Sequence, residues 1–197
     1  IAFDQAYHGD TMGAASLGGV GEFFDQFRKF GFPVEHLGGL DDLEALGQEV
    51  IEKTAAVIIE PLIQGVNQIR PWPKGMLMKL RQWCDRHDVH LILDEVMTGF
   101  GRTGEMFACQ HEEVIPDYLC LAKGLSGGYL PLAATMVGGE IYNAFLGGAD
   151  KALYYGHSYT ANQLGCAAGL ASLKVFEQEH TLEQLPQKMD FLSDQLA

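Results

Sequence analysis

The sequence predicts an α/β protein with a mostly parallel sheet that helices cover on both faces. Its apolar runs, such as Leu91-Ile92-Leu93, are continuous rather than alternating with polar residues, which is typical of strands buried on both faces. Amphipathic stretches with the helical repeat separate these runs. With 197 residues, of which 47% are hydrophobic and 20% charged, the chain is long enough to bury a sizeable core.

The charge balance excludes two classes of partner. The sequence contains 26 acidic and 13 basic residues, a net charge of -13 that repels phosphate groups, so we expect no binding to nucleic acid or to anionic membranes.

No apolar run approaches the ~20 residues that a membrane-spanning helix needs. Four dispersed cysteines without a C-x-x-C pair, together with the absence of a signal-peptide pattern, predict reduced thiols in a cytoplasmic protein.

Two helices and two strands are predicted in the first half of the chain. Apolar residues at helical spacing predict a helix over residues 40–53 and another over residues 76–87. The run 56–59, closed by a glutamate and a proline, and the run 90–94 predict buried strands, because both are short and rich in aliphatic residues. The apolar helix positions are Leu40, Leu43, Leu46, Val50, Ile51, Leu77, Leu80, Trp83 and Cys84.

The second half adds two strands and a long helix. Residues 118–122 and 132–137 are short apolar runs that predict strands. Residues 162–179 have a helical pattern rich in alanine and glycine, small residues that allow close packing. The chain starts at Ile1 inside an extended pattern and stops inside an amphipathic helical one, so we expect it to be a piece of a longer protein.

Charged residues follow three of the predicted strands: Glu60, Asp94 and Lys123. Ligands of open α/β sheets lie at the carboxyl ends of the strands. A buried lysine loses its preference for the ammonium form, whose usual pKa is about 10.4, and can then act as a Schiff-base nucleophile. Alone, Asp94 could be a surface carboxylate and Lys123 a solvated strand cap. Together, they fit pyridoxal phosphate, with the acid on the pyridine nitrogen and the lysine on the aldehyde.

Two other segments carry candidate site residues. Tyr7, after an N-terminal extended segment, could stack on a planar ring or simply be a core tyrosine. Gly156-His157-Ser158-Tyr159-Thr160 precedes the long helix, where backbone and hydroxyl donors can bind an anion. Helix capping by Ser158 and Thr160 is the alternative.

Two further patterns are rejected. Residues 99–104 match G-x-G-x-x-G, but no small-residue helix follows and no strand-end acid lies ~20 residues further on, so we do not predict a dinucleotide site. His87 and His90 have no third candidate ligand nearby in the sequence, so we predict no metal site.

The motifs resemble those of the class III aminotransferases, which have the aspartate-aminotransferase-like fold type I of pyridoxal-phosphate enzymes. The resemblance runs from Phe3 to about Glu179. Its most specific blocks are residues 91–104 (LILDEVMTGFGRTG) and residues 120–132 (CLAKGLSGGYLPL). It implies that the chain belongs to the large, cofactor-binding domain.

Within the family, the chain is most similar to members that convert 8-amino-7-oxononanoate to 7,8-diaminononanoate in biotin biosynthesis. Three stretches carry this likeness: residues 7–11 (YHGDT), 106–112 (MFACQHE) and 156–166 (GHSYTANQLGC). Valine at position 66, where ornithine and GABA aminotransferases have a glutamate, makes those activities less expected. The implied donor is S-adenosylmethionine or lysine.

The resemblance also implies roles at the cofactor. Lys123 would hold its aldehyde as an imine and then move a proton between the substrate and the cofactor. Asp94 would pair with the pyridine nitrogen, and Val96 and Tyr7 would contact the ring. His157 and Ser158 would bind the phosphate, in this family from the neighbouring subunit.

For the keto and amino substrates, the resemblance implies contacts from four residues: Tyr7, Asp10, Gly156 and Arg102. The shared phosphate site implies a homodimer with two composite active sites.

We expect residues 1–180 to be part of the large domain and residues 181–197 to start the connection to a small C-terminal domain outside the chain. The family's phosphate loop would precede Ile1, so we expect the 197 residues alone to be inactive. Two alternatives stay open: another class III activity, on an ω-amino acid or a diamine, and an inactive fragment of such an enzyme.

Overall fold

The structure, a computed structural model, describes residues 1–196 and confirms the α/β class. The chain forms two compact units. The first unit consists of residues 1–94 and 109–118, and the second unit consists of residues 95–108 and of the chain from Leu119 onward. The predicted boundary at residue 180 stays a prediction.

The first unit contains six strands and five helices. They are β1 (Ala2–Phe3), α1 (Met12–Leu17), α2 (Gly21–Phe24), β2 (His36–Leu37), α3 (Leu40–Glu44), α4 (Gln48–Glu52), β3 (Ala56–Ile59), β4 (Ile63–Gln64), β5 (Arg70–Pro71), α5 (Met76–His87) and β6 (His90–Asp94). Strands β1 and β2 pair in parallel, as do β3 and β6, whereas β4 and β5 form an antiparallel hairpin.

The core of the first unit lies between α5 and the strand pair β3–β6. Trp83 and Leu80 of α5 are fully buried, as are Leu91 and Leu93 of β6. At the start of the helix, the carboxylate of Glu112 accepts hydrogen bonds from the N–H groups of the N-cap Gly75 and of Met78. The helix ends before Asp88, which has left-handed backbone angles. Both α5 and β6 have the bounds that the apolar pattern predicts.

Asp117 fixes the start of β6. One of its oxygens accepts hydrogen bonds from the Leu91 N–H (2.6 Å) and from Arg81 of α5 (2.8 Å). Although burial alone raises the pKa of Asp117, these two hydrogen bonds and the nearby charges of Arg81 and His90 together hold the pKa below its usual value.

The second unit contains β7 (Tyr118–Leu121), β8 (Ala134–Val137), α6 (Gly139–Ala144), α7 (Gln163–Gln178) and α8 (Thr181–Leu196). The first residue of β7, Tyr118, belongs to the first unit. The small residues predicted for α7 do allow close packing. A Cβ at Gly169 would lie 2.9 Å from the Leu132 side chain, and one at Gly165 would lie 3.1 Å from the Pro131 carbonyl oxygen. The two glycines therefore allow this face of α7 to lie close to residues Pro131 and Leu132.

Two predicted elements differ from the structure by more than a one-residue shift of an end. The helix predicted over residues 40–53 is two helices, α3 and α4, because Gly47 has extended backbone angles and starts a new helix. The strand predicted from Leu132 begins at Ala134. Among residues 1–196, no helix is both long and apolar enough to cross a membrane.

Candidate active site

Two buried acidic side chains lie at the carboxyl end of the strand pair β3–β6. Ile59 of β3 is in register with Leu93 of β6, so Glu60 and Asp94 both follow at the same level. Asp94 is only 8% exposed, and its Oδ2 lies 2.8 Å from Nδ1 of His8. Sequence reasoning missed His8, although its place between Tyr7 and Gly9 after β1 was a usable signal.

Tyr7 and Asp10, two predicted site residues, contact each other. The Tyr7 hydroxyl donates to Asp10 Oδ1 over 3.0 Å, and this hydrogen bond is the main reason that the pKa of Tyr7 is raised. The ring stacks on Phe24 with a centroid distance of 6.1 Å. Tyr7 therefore lies at the site as a neutral hydrogen-bond donor with a fixed ring, half-buried rather than in the core.

Glu60, the third strand-end residue noted from the sequence, is buried. Its two oxygens accept hydrogen bonds from the N–H groups of Tyr7 (3.1 Å) and Gly65 (2.8 Å). Burial raises the pKa of Glu60, and these two hydrogen bonds partly oppose the rise.

Lys123 follows β7 as predicted, but its side chain is exposed. The desolvated amine expected from the sequence is therefore not present in this chain by itself. The residue has a positive φ of 44° and opens a short 3-10 turn, Lys123–Ser126. A non-glycine residue in this left-handed region stores strain, and residues of this kind cluster at functional sites.

The turn at Lys123 is held by the neighbouring residue. A Cβ on Gly124 would lie 2.7 Å from the Phe100 Cβ, and the Gly124 carbonyl accepts a hydrogen bond from Ser172 of α7. The two blocks that carry the family resemblance therefore meet at Phe100 and Gly124, directly beside Lys123.

Lys123 lines a cavity of about 1170 Å³ in the second unit, together with His157. Its other polar lining residues include Thr135, Tyr155, Thr160 and Asn162. Ser158 and Gly156 are exposed and are not among the lining residues. Of the two predicted phosphate residues, only His157 shares a cavity with Lys123 of the same chain.

The helix that follows is capped differently from either interpretation of the sequence. Asn162, not Ser158 or Thr160, is the N-cap of α7, and its Oδ1 accepts hydrogen bonds from the N–H groups of Leu164 and Gly165. Thr160 accepts instead from the His157 N–H. Two of the N–H groups at the start of α7 are therefore already bonded to a side chain.

The segment after β6 holds two more predicted residues. Val96 is half-buried and Arg102 is exposed. Buried Glu95 accepts hydrogen bonds from the Thr98 hydroxyl (3.1 Å) and the Ala108 N–H (2.7 Å), which shape this turn. The glycines of the G-x-G-x-x-G match serve the local fold: Gly101 and Gly104 have positive φ angles and lie against side chains of α8.

Comparison with known proteins identifies the family to which this chain is related. The curated adenosylmethionine-8-amino-7-oxononanoate aminotransferase of Nitratidesulfovibrio vulgaris is 46% identical over 221 aligned residues, covering all of this chain and 40% of that protein. The crystal structure of the enzyme of that name from Methanocaldococcus jannaschii matches with a TM-score of 0.90 at 42% identity, covering 98% of this chain and 48% of the other.

A second solved structure represents a different activity. The (S)-enantioselective omega-transaminase from Thermomicrobium roseum matches with a TM-score of 0.81 at 31% identity, covering 93% of this chain and 45% of that one. The chain spans about half the length of the relatives it matches. The sequence profile of the family described as Aminotransferase class-III matches residues 1–197 in full. This chain belongs to the class III aminotransferase family.

Proposed function

We propose that the chain is the cofactor-binding part of a pyridoxal-phosphate-dependent aminotransferase that converts 8-amino-7-oxononanoate to 7,8-diaminononanoate in biotin biosynthesis. The observation that carries the proposal is the buried His8–Asp94 pair at the end of β6, in a chain that relatives named for that activity match over its full length. The name of these relatives includes adenosylmethionine, which supports it as the amino donor. Lysine is the alternative.

The residues present fit pyridoxal phosphate. Asp94 is a carboxylate with little exposure to water, so its charge acts in a low local dielectric, where an ion pair with a protonated pyridine nitrogen is strong. His8 orients this carboxylate, and its own Nε2 is buried without a hydrogen-bond partner among residues 1–196. Bound pyridoxal phosphate would supply an electron sink for the carbanion at the substrate carbon.

Lys123 would hold the cofactor covalently and move the proton at the substrate carbon. A neutral amine is needed to react with the aldehyde and to accept the proton, which the resulting ammonium can then donate, and burial favours the neutral form of a lysine. Because Lys123 is exposed here, a bound cofactor or a further protein surface would have to cover it.

The remaining predicted residues keep proposed roles. Tyr7 and Val96 would contact the cofactor ring, and His157 and Ser158 would bind its phosphate. Tyr7, Asp10, Gly156 and Arg102 would contact substrate. The hydrogen bond from Tyr7 to Asp10 supports their acting together.

We propose a homodimer with shared sites. Many large apolar side chains of the second unit are exposed, which a soluble protein usually covers with a partner. They include Tyr129, Tyr142, Tyr154, Tyr155, Tyr159, Leu164 and Leu170. Ser158 lies within this exposed region rather than in the cavity of its own Lys123, which supports its serving a second copy.

Mapping and turnover assays test the proposed chemistry in the protein expressed from its complete gene. Borohydride reduction and peptide mapping should place a pyridoxyl group on Lys123. The protein should aminate 8-amino-7-oxononanoate faster than pyruvate, with S-adenosylmethionine and lysine compared as donors. A label on Lys151 or Lys174 would contradict the role of Lys123. Preference for pyruvate would favour the ω-amino acid alternative, which the omega-transaminase likeness supports.

Complementation tests the shared site. Lys123→Ala and Ser158→Trp proteins should each be nearly inactive, whereas unfolding and remixing them should restore part of the activity. In a mixed dimer, one site then receives both changes and the other receives neither. Each variant remixed with itself is the control. Mixed dimers as inactive as their parents would mean that Ser158 serves its own chain or no phosphate.

A further inference from the structure

We propose that Glu60 is a positioning residue that holds His8 against Asp94, and through Asp94 controls how tightly the protein binds pyridoxal phosphate. The proposal rests on the proposed function, and it assigns a role to a strand-end acid outside the proposed set of cofactor and substrate contacts.

The contacts of Glu60 join segments that are distant in sequence. Its carboxylate bridges the N–H groups of Tyr7 and Gly65, which precede and follow β3 along the chain. Its carbonyl oxygen accepts a hydrogen bond from the Trp72 indole (3.0 Å). A buried carboxylate that accepts several N–H groups is a firm anchor, because such charge-assisted bonds are stronger than neutral ones.

The anchored peptide carries two side chains of the site. The N–H of Tyr7 is held by Glu60, and the next residue is His8. His8 has one side-chain hydrogen-bond partner among the described residues, Asp94 at Nδ1, because its Nε2 is buried without one. The imidazole is therefore held in place by its backbone and by Asp94, and the backbone position depends on Glu60.

The level of the two acids supports the same role. Glu60 and Asp94 directly follow Ile59 and Leu93, which are in register on the paired strands β3 and β6. His8 is hydrogen-bonded to Asp94. The two carboxylates and the imidazole interact electrostatically, with Asp94 raising and His8 lowering the pKa of Glu60. A shift of the Tyr7–His8 backbone would therefore change both the geometry and the charge balance at Asp94.

The test is the affinity of the apoprotein from the complete gene for pyridoxal phosphate, followed by tryptophan fluorescence. Glu60→Gln removes one of the two acceptor oxygens while keeping the shape of the side chain. We expect it to raise the Kd by about tenfold. Glu112→Gln is the matched control, because Glu112 also accepts two main-chain N–H bonds, from Gly75 and Met78, at the start of α5. Its Kd should equal that of the wild type.

A double-mutant cycle separates positioning from simple destabilisation. If Glu60 acts through Asp94, Glu60→Gln should change the Kd less than about twofold once Asp94→Asn is present. An equal loss in both backgrounds, or no loss in either, would overturn the proposal. If Glu60→Gln does not fold, the same cycle is run with Glu60→Asp, which keeps the charge but shortens the reach. A wild-type protein that binds no pyridoxal phosphate would overturn the proposed function instead.

Discussion

The two units differ in how their candidate site residues are held. In the first unit, Asp94 and Glu60 are buried, and each has hydrogen-bond partners within that unit. In the second unit, Lys123 and Ser158 are exposed, and Lys123 has a strained backbone. The first unit organises its acids by itself, whereas the second presents side chains that need a further surface to remove them from water.

This difference follows from the chemistry that each group must do. A carboxylate paired with a protonated ring nitrogen must stay ionised and oriented, and hydrogen bonds to fixed partners achieve both. A lysine that reacts with an aldehyde must be accessible to it and mobile, so hydrogen bonds to fixed partners would hinder its reaction. Four substitutions in the protein from the complete gene test this contrast.

Asp94→Asn should have the largest effect. The two side chains have nearly the same shape, so His8 keeps a partner and the fold is retained, but the negative charge is lost. We expect kcat to fall about 10³-fold, which corresponds to about 4 kcal/mol of barrier. Asp117→Asn, a change to the carboxylate at the other end of β6, is the control and should leave kcat unchanged. Near-wild-type turnover of the Asp94 variant would make that residue a merely structural carboxylate.

Gly124→Ala, in the second unit, should have the second-largest effect. The new Cβ would lie 2.7 Å from the Phe100 Cβ, so either the Lys123 turn or the Phe100 segment must move. We expect a stability loss of about 1–3 kcal/mol, measured by urea unfolding, together with reduced turnover. Gly139→Ala in α6 introduces a Cβ with no atom within 4 Å and should be neutral or slightly stabilising. Equal effects of the two changes would show that the packing at Phe100 does not position Lys123.

Asp117→Asn should lower stability rather than turnover, by about 1–2 kcal/mol near neutral pH, because the ion pair with Arg81 is lost. The folded-state pKa of Asp117 lies below its usual value of 3.8, so its stabilisation is complete above pH 3.8. It is lost as the pH falls through the lower, folded-state pKa. Unfolding free energies of the two proteins should therefore converge in acid. A difference that is independent of pH would contradict the ion-pair explanation.

Ile69→Gly should have the smallest effect, and it should be favourable. Ile69 is exposed and β-branched, with a φ of 56° in the loop between β4 and β5. Relief of this strain should raise the free energy of unfolding by about 0.5–1 kcal/mol without changing kcat. Ile115→Gly, at an exposed isoleucine outside the positive-φ positions, should instead lower it. A stability loss at Ile69 would mean that its backbone angle costs little, and would weaken the same argument for Lys123.

Much of the fold follows from local pattern. The bounds of α5 and β6 were predictable because their apolar residues repeat at the helical and buried-strand periods, which depend only on neighbours along the chain. The break between α3 and α4 was not predictable, because the apolar spacing continues through residues 45–47. The extended backbone of Gly47 nevertheless separates the two helices. The capping of α7 was misassigned for a similar reason: several residues before the helix can cap it, and geometry selects Asn162.

The family, the α/β class and the strand-end positions of Asp94 and Lys123 were all predictable from the sequence, because motif spacing and apolar periodicity are properties of the chain. Only the tertiary structure revealed that His8 lies on Asp94, 86 residues away, and that Glu60 holds the Tyr7 backbone. The structure also showed that Lys123 is exposed and that Phe100 packs against Gly124. Burial and hydrogen bonding depend on which distant segments meet, and strand register and side-chain packing set those meetings in three dimensions.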